Sequence, residues 1–299
     1  MCSIIKTSVR IFSLAIEDEC GKKPAVTYAL RMMIRYAKPW VFCLIAGLMI
    51  GCCPHRFSKP DAVIADPALL LERMNARADQ TTSFEYNTRV SHYGSAGVFK
   101  GNVDVLGATE AKLRFEVLSP TDDTLAVLAS DGKRFMSHQR GQNRCEVGDA
   151  CAANVSRFLP VVLSGADLVR LMTGTAPRMA FESSALVWDE CEGTYRLTLL
   201  RNADKMQTEL WVAPKDYFVV RMRVIRDGKE RLLVENEDFR AVNGVVIPHS
   251  IQVKVADTNT DLLISLREAW LNQLQEGPHF LTTCPAGSQP QEVPCPSVE

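Results

Sequence analysis

Ten cysteines and five histidines are the residues of this chain best equipped for chemistry, and their spacing decides what chemistry is open to them. His55, His92, His138, His249 and His279 stand far apart, without an HExxH repeat or comparable ligand spacing, so no metal site is implied. No Gly-x-Ser-x-Gly elbow and no glycine loop for phosphate occurs either. Asp122-Asp123 is the one candidate carboxylate pair. Neighbours on a strand point to opposite faces, however, and Pro120 makes this pair the end of a turn. Glu235, Glu237 and Asp238 read as a solvated acidic strand face. With no nucleophile beside a base, the chain is expected to be no enzyme and to need no cofactor.

The cysteines offer covalent structure instead. Cys145-Glu-Val-Gly-Asp-Ala-Cys151 surrounds Gly148, and Cys284 and Cys295 bracket a Pro-rich stretch. Two local disulfides are the expectation, which places the chain in an oxidising compartment. A zinc site is the competing reading, but the spacing is wrong and no histidine pair lies nearby. Cys191 is left as an odd thiol, either buried or reactive.

Cys52 has a different context. The apolar run from Trp40 to Ile50 follows the charged stretch Ile34-Arg-Tyr-Ala-Lys38 and ends in Met49-Ile50-Gly51-Cys52. This tetrad resembles the bacterial lipoprotein lipobox, with Met49 where leucine is more usual. The resemblance implies that Cys52 receives a diacylglyceryl group and becomes the new N-terminus, residues 1–51 being a secretory signal. Cys53 is the poorer acceptor, because small Gly51 precedes Cys52. A membrane span is the alternative, yet that takes about 20 apolar residues, and Pro54, His55 and Arg56 end this run well short. A buried core helix is less consistent with the Gly-Cys exit. Residues 1–31 form a lead that no signal needs; Met32 or Met33 makes a natural start, with a genuine extension as the alternative.

Removing the seven Lys/Arg and three Asp/Glu of residues 1–51 leaves 27 basic and 32 acidic residues. An acidic balance argues against nucleic acid as a partner, since phosphate binding needs a clustered cationic face.

The elements follow from periodicity. Residues 52–65 read as the lipidated anchor and a polar tether containing Pro54 and Pro60. Asp66-Pro67 supplies a cap and first turn for a helix over 68–78 that buries Leu70, Leu71 and Met74. The period then changes to two, as in Leu113/Phe115/Val117, Val220/Met222/Val224 and Ile251/Val253/Val255. Further strands are expected at 83–92, 97–106, 124–129, 133–138, 180–189, 194–200, 206–213, 231–240 and 261–270, with turns at Asp131-Gly132, Asp227-Gly228 and Asn243-Gly244. One short helix, capped by Ser164 and striped by Leu168, Leu171 and Met172, interrupts them as a plug or a lid. The expected fold is α+β, mostly antiparallel β: a strongly curved, unclosed half-barrel of about eleven strands over residues 66–276, with lid or plug helices and a Pro-rich tail at 277–299. A closed barrel or a two-sheet sandwich is the alternative.

Leu210-Trp-Val-Ala-Pro-Lys215, Val219-Val-Arg-Met222, Asp227-Gly-Lys229, Phe239, Asn243-Gly244 and Ile247-Pro248 stand in an order that resembles the LolA/LolB-like lipoprotein-localisation family. The likeness extends more loosely over residues 66–272. It implies an unclosed half-barrel whose concave face shelters acyl chains of lipids or lipoproteins, and a partner such as a periplasmic carrier or envelope protein. The lipobox then implies the receptor type, held in outer-membrane lipid through acylated Cys52 and facing the periplasm. No aspartate follows Cys52, so the enteric inner-membrane retention signal is absent. Candidates for the acyl-chain lining are Phe115, Val117, Leu125, Val127, Phe135, Leu197, Leu199, Leu210, Val212, Val220 and Met222. Each is also open to being an ordinary packed core residue, the reading that composition favours for any apolar strand position. Trp211 suits either face. Phe158-Leu-Pro-Val-Val-Leu163 is the one apolar stretch comparable with a protruding membrane or cargo contact, with a buried strand as its alternative.

Overall fold

Period-two alternation fills most of the chain with strands, and a computed structural model describing residues 56–95, 97–157, 159, 162–274 and 278–296 places fourteen of them in one sheet. Helix α1 (Pro67–Ala78) precedes β1 (Ser83–Gly94), β2 (Gly97–Ala108), β3 (Lys112–Leu118), β4 (Thr124–Ser130), β5 (Arg134–Gln139) and β6 (Arg144–Asp149). Two helices follow, α2 (Ala152–Val155) and α3 (Gly165–Met172). The second run is β7 (Ser183–Asp189), β8 (Thr194–Arg201), β9 (Met206–Val212), β10 (Val219–Arg226), β11 (Lys229–Val242), β12 (Val245–Val255) and β13 (Thr260–Leu271), with β14 (Gln289–Glu292) last.

Each run is a meander of antiparallel neighbours, and the pairing of β1 with β13 joins the two. The sheet runs from β14 at one edge to β7 at the other, and these edges do not pair among the described residues. It is the curved, unclosed half-barrel the alternation predicts. Its tight turns carry the expected chemistry: Asp227-Gly228 and Asn243-Gly244 both have positive φ at each position, the hairpin geometry that Gly tolerates without penalty. All of this lies in one compact unit, His55–Glu299, which holds the whole sheet and core and therefore has what a domain needs to fold alone.

The helices form where their caps predict. Asp66 Oδ1 accepts from the Ala68 amide at 2.9 Å, and Ser164 Oγ accepts from the Asp167 amide at 3.2 Å. Leu70 and Met74 of α1 and Leu168, Leu171 and Met172 of α3 all enter the core cluster on the concave side. Arg77, one turn beyond Met74, is also buried and donates to the Thr173 carbonyl at the end of α3 and to the Val246 carbonyl on β12. Burial lowers its pKa to about 10.

Four expectations need correction. The strand count rises from about eleven to fourteen, partly because Cys145–Cys151 is not a small loop. Extended backbone at ~3.3 Å per residue separates those two cysteines by roughly 20 Å, too far for a disulfide. Instead Cys145 bonds Cys284 and Cys151 bonds Cys295, so both bridges are long-range. They stitch β14 parallel to β6, with Gln289 beside Arg144 and Glu292 beside Val147. Cys191 is likewise disulfide-bonded and is not an odd thiol. Finally, Val220 does not alternate with Met222 toward the core. Val219 pairs with Val212 and Arg221 with Trp211, so Val220 is the extra residue of a bulge, and Val219 takes the buried place.

Candidate functional site

The concave face is filled unevenly. Beneath the second meander, Leu197, Leu199, Leu210, Val212 and Met222 are buried in the shared core. These five predicted lining residues are packing residues. Under β1, β2, β3 and β13 the filling stops short and leaves a cavity of about 450 Å³, within the ~300–1,000 Å³ typical of small-ligand sites.

Register explains its walls. Val90 of β1 lies between Gly101 of β2 and Ile264 of β13, and His92 between Phe99 and Leu262. Cross-strand partners share a face, so each row presents its side chains to the same space. Val103 and Val105 continue the wall and pair with Val117 and Phe115 of β3. Gly101 has a physical reason: a Cβ there would sit 2.7 Å from the Phe99 ring, which is laid back over the strand. Met172 forms the roof from α3, with Arg157 and Leu159 from the segment between α2 and α3.

One end of the cavity is blind. Phe84 and Tyr86 stack at 4.4 Å and are fully buried, as are Leu113, Leu128 and Phe135. Burial pushes the Tyr86 phenol well above its usual range. The hydroxyl of Thr88 donates to the Val103 carbonyl at 2.6 Å, so the floor offers no free donor there. The other end lies at the tips of the β1–β2 and β12–β13 hairpins and is polar, with His92, Ser95, Thr258 and Thr260 on its rim. Thr258 Oγ1 and Thr260 Oγ1 are 2.8 Å apart. Beside the rim the apolar tip is exposed, Val98 by 67% and Tyr93 by 44%.

Arg157 is the one residue with a permanent charge in this lining. Its Nη1 lies 2.9 Å from Glu146 Oε2, its Nη2 donates to Asn154 Oδ1 at 3.3 Å, and the guanidinium sits 5.6 Å from the Phe135 ring centroid. Two contacts leave three of its five N–H groups available.

Of the predicted strand residues, Phe115 and Val117 line the cavity. Phe135 belongs to its closed end and Leu125 is exposed. Val127 faces the opposite side of the sheet, in a small outer cluster with Ala129, Met136 and Cys145 beneath Cys284. Of the predicted helix, Leu168 and Leu171 are core and Met172 lines the cavity as well, so α3 is plug and roof together. In the apolar stretch 158–163, Phe158, Pro160 and Val161 lie outside the described residues. Leu159 lines the cavity, Val162 is 68% exposed, and Leu163 is tied through its amide and carbonyl to the Ser156 hydroxyl. The lining residues not singled out from sequence, Val90, Val103, Val105, Leu262 and Ile264, sit in strands whose alternation was visible. Only the pairing of β1 with β13 brings them together.

The chain entering the domain is held against the far edge of the sheet. The Phe57 amide donates to the Glu190 carbonyl at 2.8 Å, and the Ile64 amide donates to the Tyr195 hydroxyl at 3.1 Å. Cys52 lies outside the described residues.

No protein-family model and no curated protein matches this sequence. Solved structures do. A DUF1329 family protein from Desulfovibrio piger is 11% identical over 72% of this chain and 95% of its own, with a TM-score of 0.54. A proposed outer membrane lipoprotein-sorting protein domain from Vibrio parahaemolyticus is 10% identical over 71% of this chain and 94% of its own, with a TM-score of 0.53. A LolA superfamily protein from Nitrosomonas europaea covers 73% of this chain at 12% identity, with a TM-score of 0.47. At such identities the likeness is one of fold, and that fold is LolA/LolB-like.

Proposed function

We propose that this protein is an outer-membrane lipoprotein, anchored through acylated Cys52 and facing the periplasm, that shelters acyl chains in its concave cavity and serves lipid or lipoprotein localisation. The observation carrying this reading is the blind, apolar cavity of about 450 Å³ under α3, walled by valines, leucine, isoleucine and phenylalanine from four strands. An acyl chain gains about 0.8 kcal/mol per CH₂ on leaving water for such a lining. No catalytic group is needed for that. The fold shared with a proposed lipoprotein-sorting domain supports the same reading.

The test is native mass spectrometry of a soluble form, His55–Glu299 carrying Cys191→Ser because the other four cysteines of that span pair with one another, from cells. Co-purified acyl lipids are expected. An empty cavity with a stoichiometric protein bound instead would favour a structural envelope protein that grips a protein partner. The anchor is tested separately: radiolabelled palmitate should enter the wild-type chain and not the Cys52→Ala variant, and equal labelling of both would remove the anchor from the proposal.

A further inference from the structure

We infer that Cys191 is bridged to Cys53, the residue beside the acylated cysteine, so that the β7–β8 hairpin is clamped covalently to the membrane anchor. The choice of Cys53 over Cys52 rests on the acylation reading above. Two observations independent of that reading carry the rest.

The first is a process of elimination. Cys191 is disulfide-bonded, and the other four cysteines among the described residues pair with one another. Its partner within the chain is therefore Cys2, Cys20, Cys43, Cys52 or Cys53. The second is the seat of the incoming chain. The Phe57 amide donates at 2.8 Å to the Glu190 carbonyl, which belongs to the peptide unit entering Cys191. The Phe57 ring lies on Gly193, where a Cβ would come within 2.7 Å of it, and Arg56 Nη1 is 3.9 Å from Glu190 Oε2. The turn itself is fixed, because Asp189 Oδ1 accepts from the amides of Cys191 and Glu192 at 3.1 Å each.

Cys53 precedes Phe57 by four residues, a reach of at most about 14 Å, which brackets the ~4.4–6.8 Å between Cα atoms that a disulfide needs. Cys52 and Cys53 are the nearest candidates along the chain, and Cys2, Cys20 and Cys43 fall in the segment read as a removable signal. The thioether to diacylglycerol occupies the Cys52 sulfur and leaves Cys53. The two thiols give up two protons and two electrons as the S–S bond forms. A donor disulfide of the oxidising compartment takes them up by exchange and is reduced to two thiols.

The clamp also fixes which rim of the sheet meets the bilayer. From β7 through β13 to β1 and β2 every neighbour is antiparallel, so successive turns alternate between the two rims. The β7–β8 turn shares its rim with the β9–β10 and β11–β12 turns, while the β12–β13 and β1–β2 turns, the polar mouth of the cavity, lie on the other. Trp188, Trp211 and Trp270 are each the next-to-last residue of a strand that ends on the clamped rim, a placement that suits amphipathic indoles beside a membrane. The twelve residues of β1 put about 40 Å of strand between the rims. The cavity thus opens away from the bilayer that holds the protein.

The acylated full-length protein is purified from cells fed radiolabelled palmitate, treated with iodoacetamide without reduction, and cut with trypsin. Peptide 179–196, which holds Cys191, should run joined to peptide 52–56, carry the label, and lose it on reduction. Peptide 179–196 alkylated without reduction, or joined to a different peptide, overturns the inference. Cys53→Ala should raise alkylation at Cys191 from none to one per chain while palmitate still enters, and a bridge that persists in this variant overturns it too. A joined peptide without palmitate, its bridge lost in Cys53→Ala, upholds the pairing and removes the anchor reading. In vesicles containing dansyl-phosphatidylethanolamine, tryptophan emission of the bridged protein should transfer to the lipid; no transfer would overturn the orientation.

Discussion

Removing the two bridges of the C-terminal tail should cost more together than the sum of the single losses. Cys145–Cys284 alone closes a loop of 139 residues, which chain entropy makes worth about 5 kcal/mol. Once that bridge exists, Cys151–Cys295 closes a much smaller ring, made of the segments 145–151 and 284–295. A ring of that size is worth about 3 kcal/mol. Either single removal, Cys145→Ala with Cys284→Ala or Cys151→Ala with Cys295→Ala, therefore leaves one long loop closed and costs about 3 kcal/mol. Removing all four cysteines should cost about 8 kcal/mol, a large part of the ~5–15 kcal/mol total of a typical domain. Urea unfolding followed by circular dichroism reads these differences directly. The pairing has an independent check, because trypsin leaves Cys145 and Cys151 together in residues 145–157 and Cys284 and Cys295 together in residues 268–299. Unreduced, the two peptides should run as one cross-linked species. Two separate peptides, each with an internal bridge, would refute the long-range pairing, and strictly additive losses would refute the entropic reasoning.

Three further outcomes follow from the cavity and its surroundings. Val117→Trp puts an indole into the cavity and should weaken binding of cis-parinarate, a fluorescent fatty acid, about tenfold or more, while the thermal midpoint stays within a few degrees. Arg77→Ala leaves the carbonyls of Thr173 and Val246 without their donor and should cost about 2–5 kcal/mol in urea unfolding. His249 is buried, with Arg240 opposing its protonation, and its pKa lies below the ordinary 6.5. The unfolded chain thus takes up the proton first, so this contribution to stability is present above pH 6.5 and lost as pH falls below it. His249→Gln should flatten stability against pH in that acid window, and an unchanged slope would contradict the assignment.

Much of this protein is legible locally. Alternation of period two marks twelve of the strands, and Asp66-Pro67 and Ser164 mark the two longer helices. The paired positive-φ turns at 227–228 and 243–244 mark hairpins. Such features depend on residues a few positions apart, whose geometry the backbone period fixes. What alternation cannot say is which of two faces receives the core, or which distant strand lies alongside. Val127 alternates as well as Phe115, yet the tail covers it from outside. Val220 looks inward until a bulge shifts the count by one. His92, Thr258 and Thr260 have nothing in common along the chain and meet because β1 pairs with β13. The bridges are the extreme case, joining cysteines 139 and 144 residues apart while passing over nearer ones. The sequence by itself determined the elements and the apolar patterning. Only the tertiary structure decided where side chains fill the curved sheet and where they leave a hollow, because packing density is a property of neighbours in space.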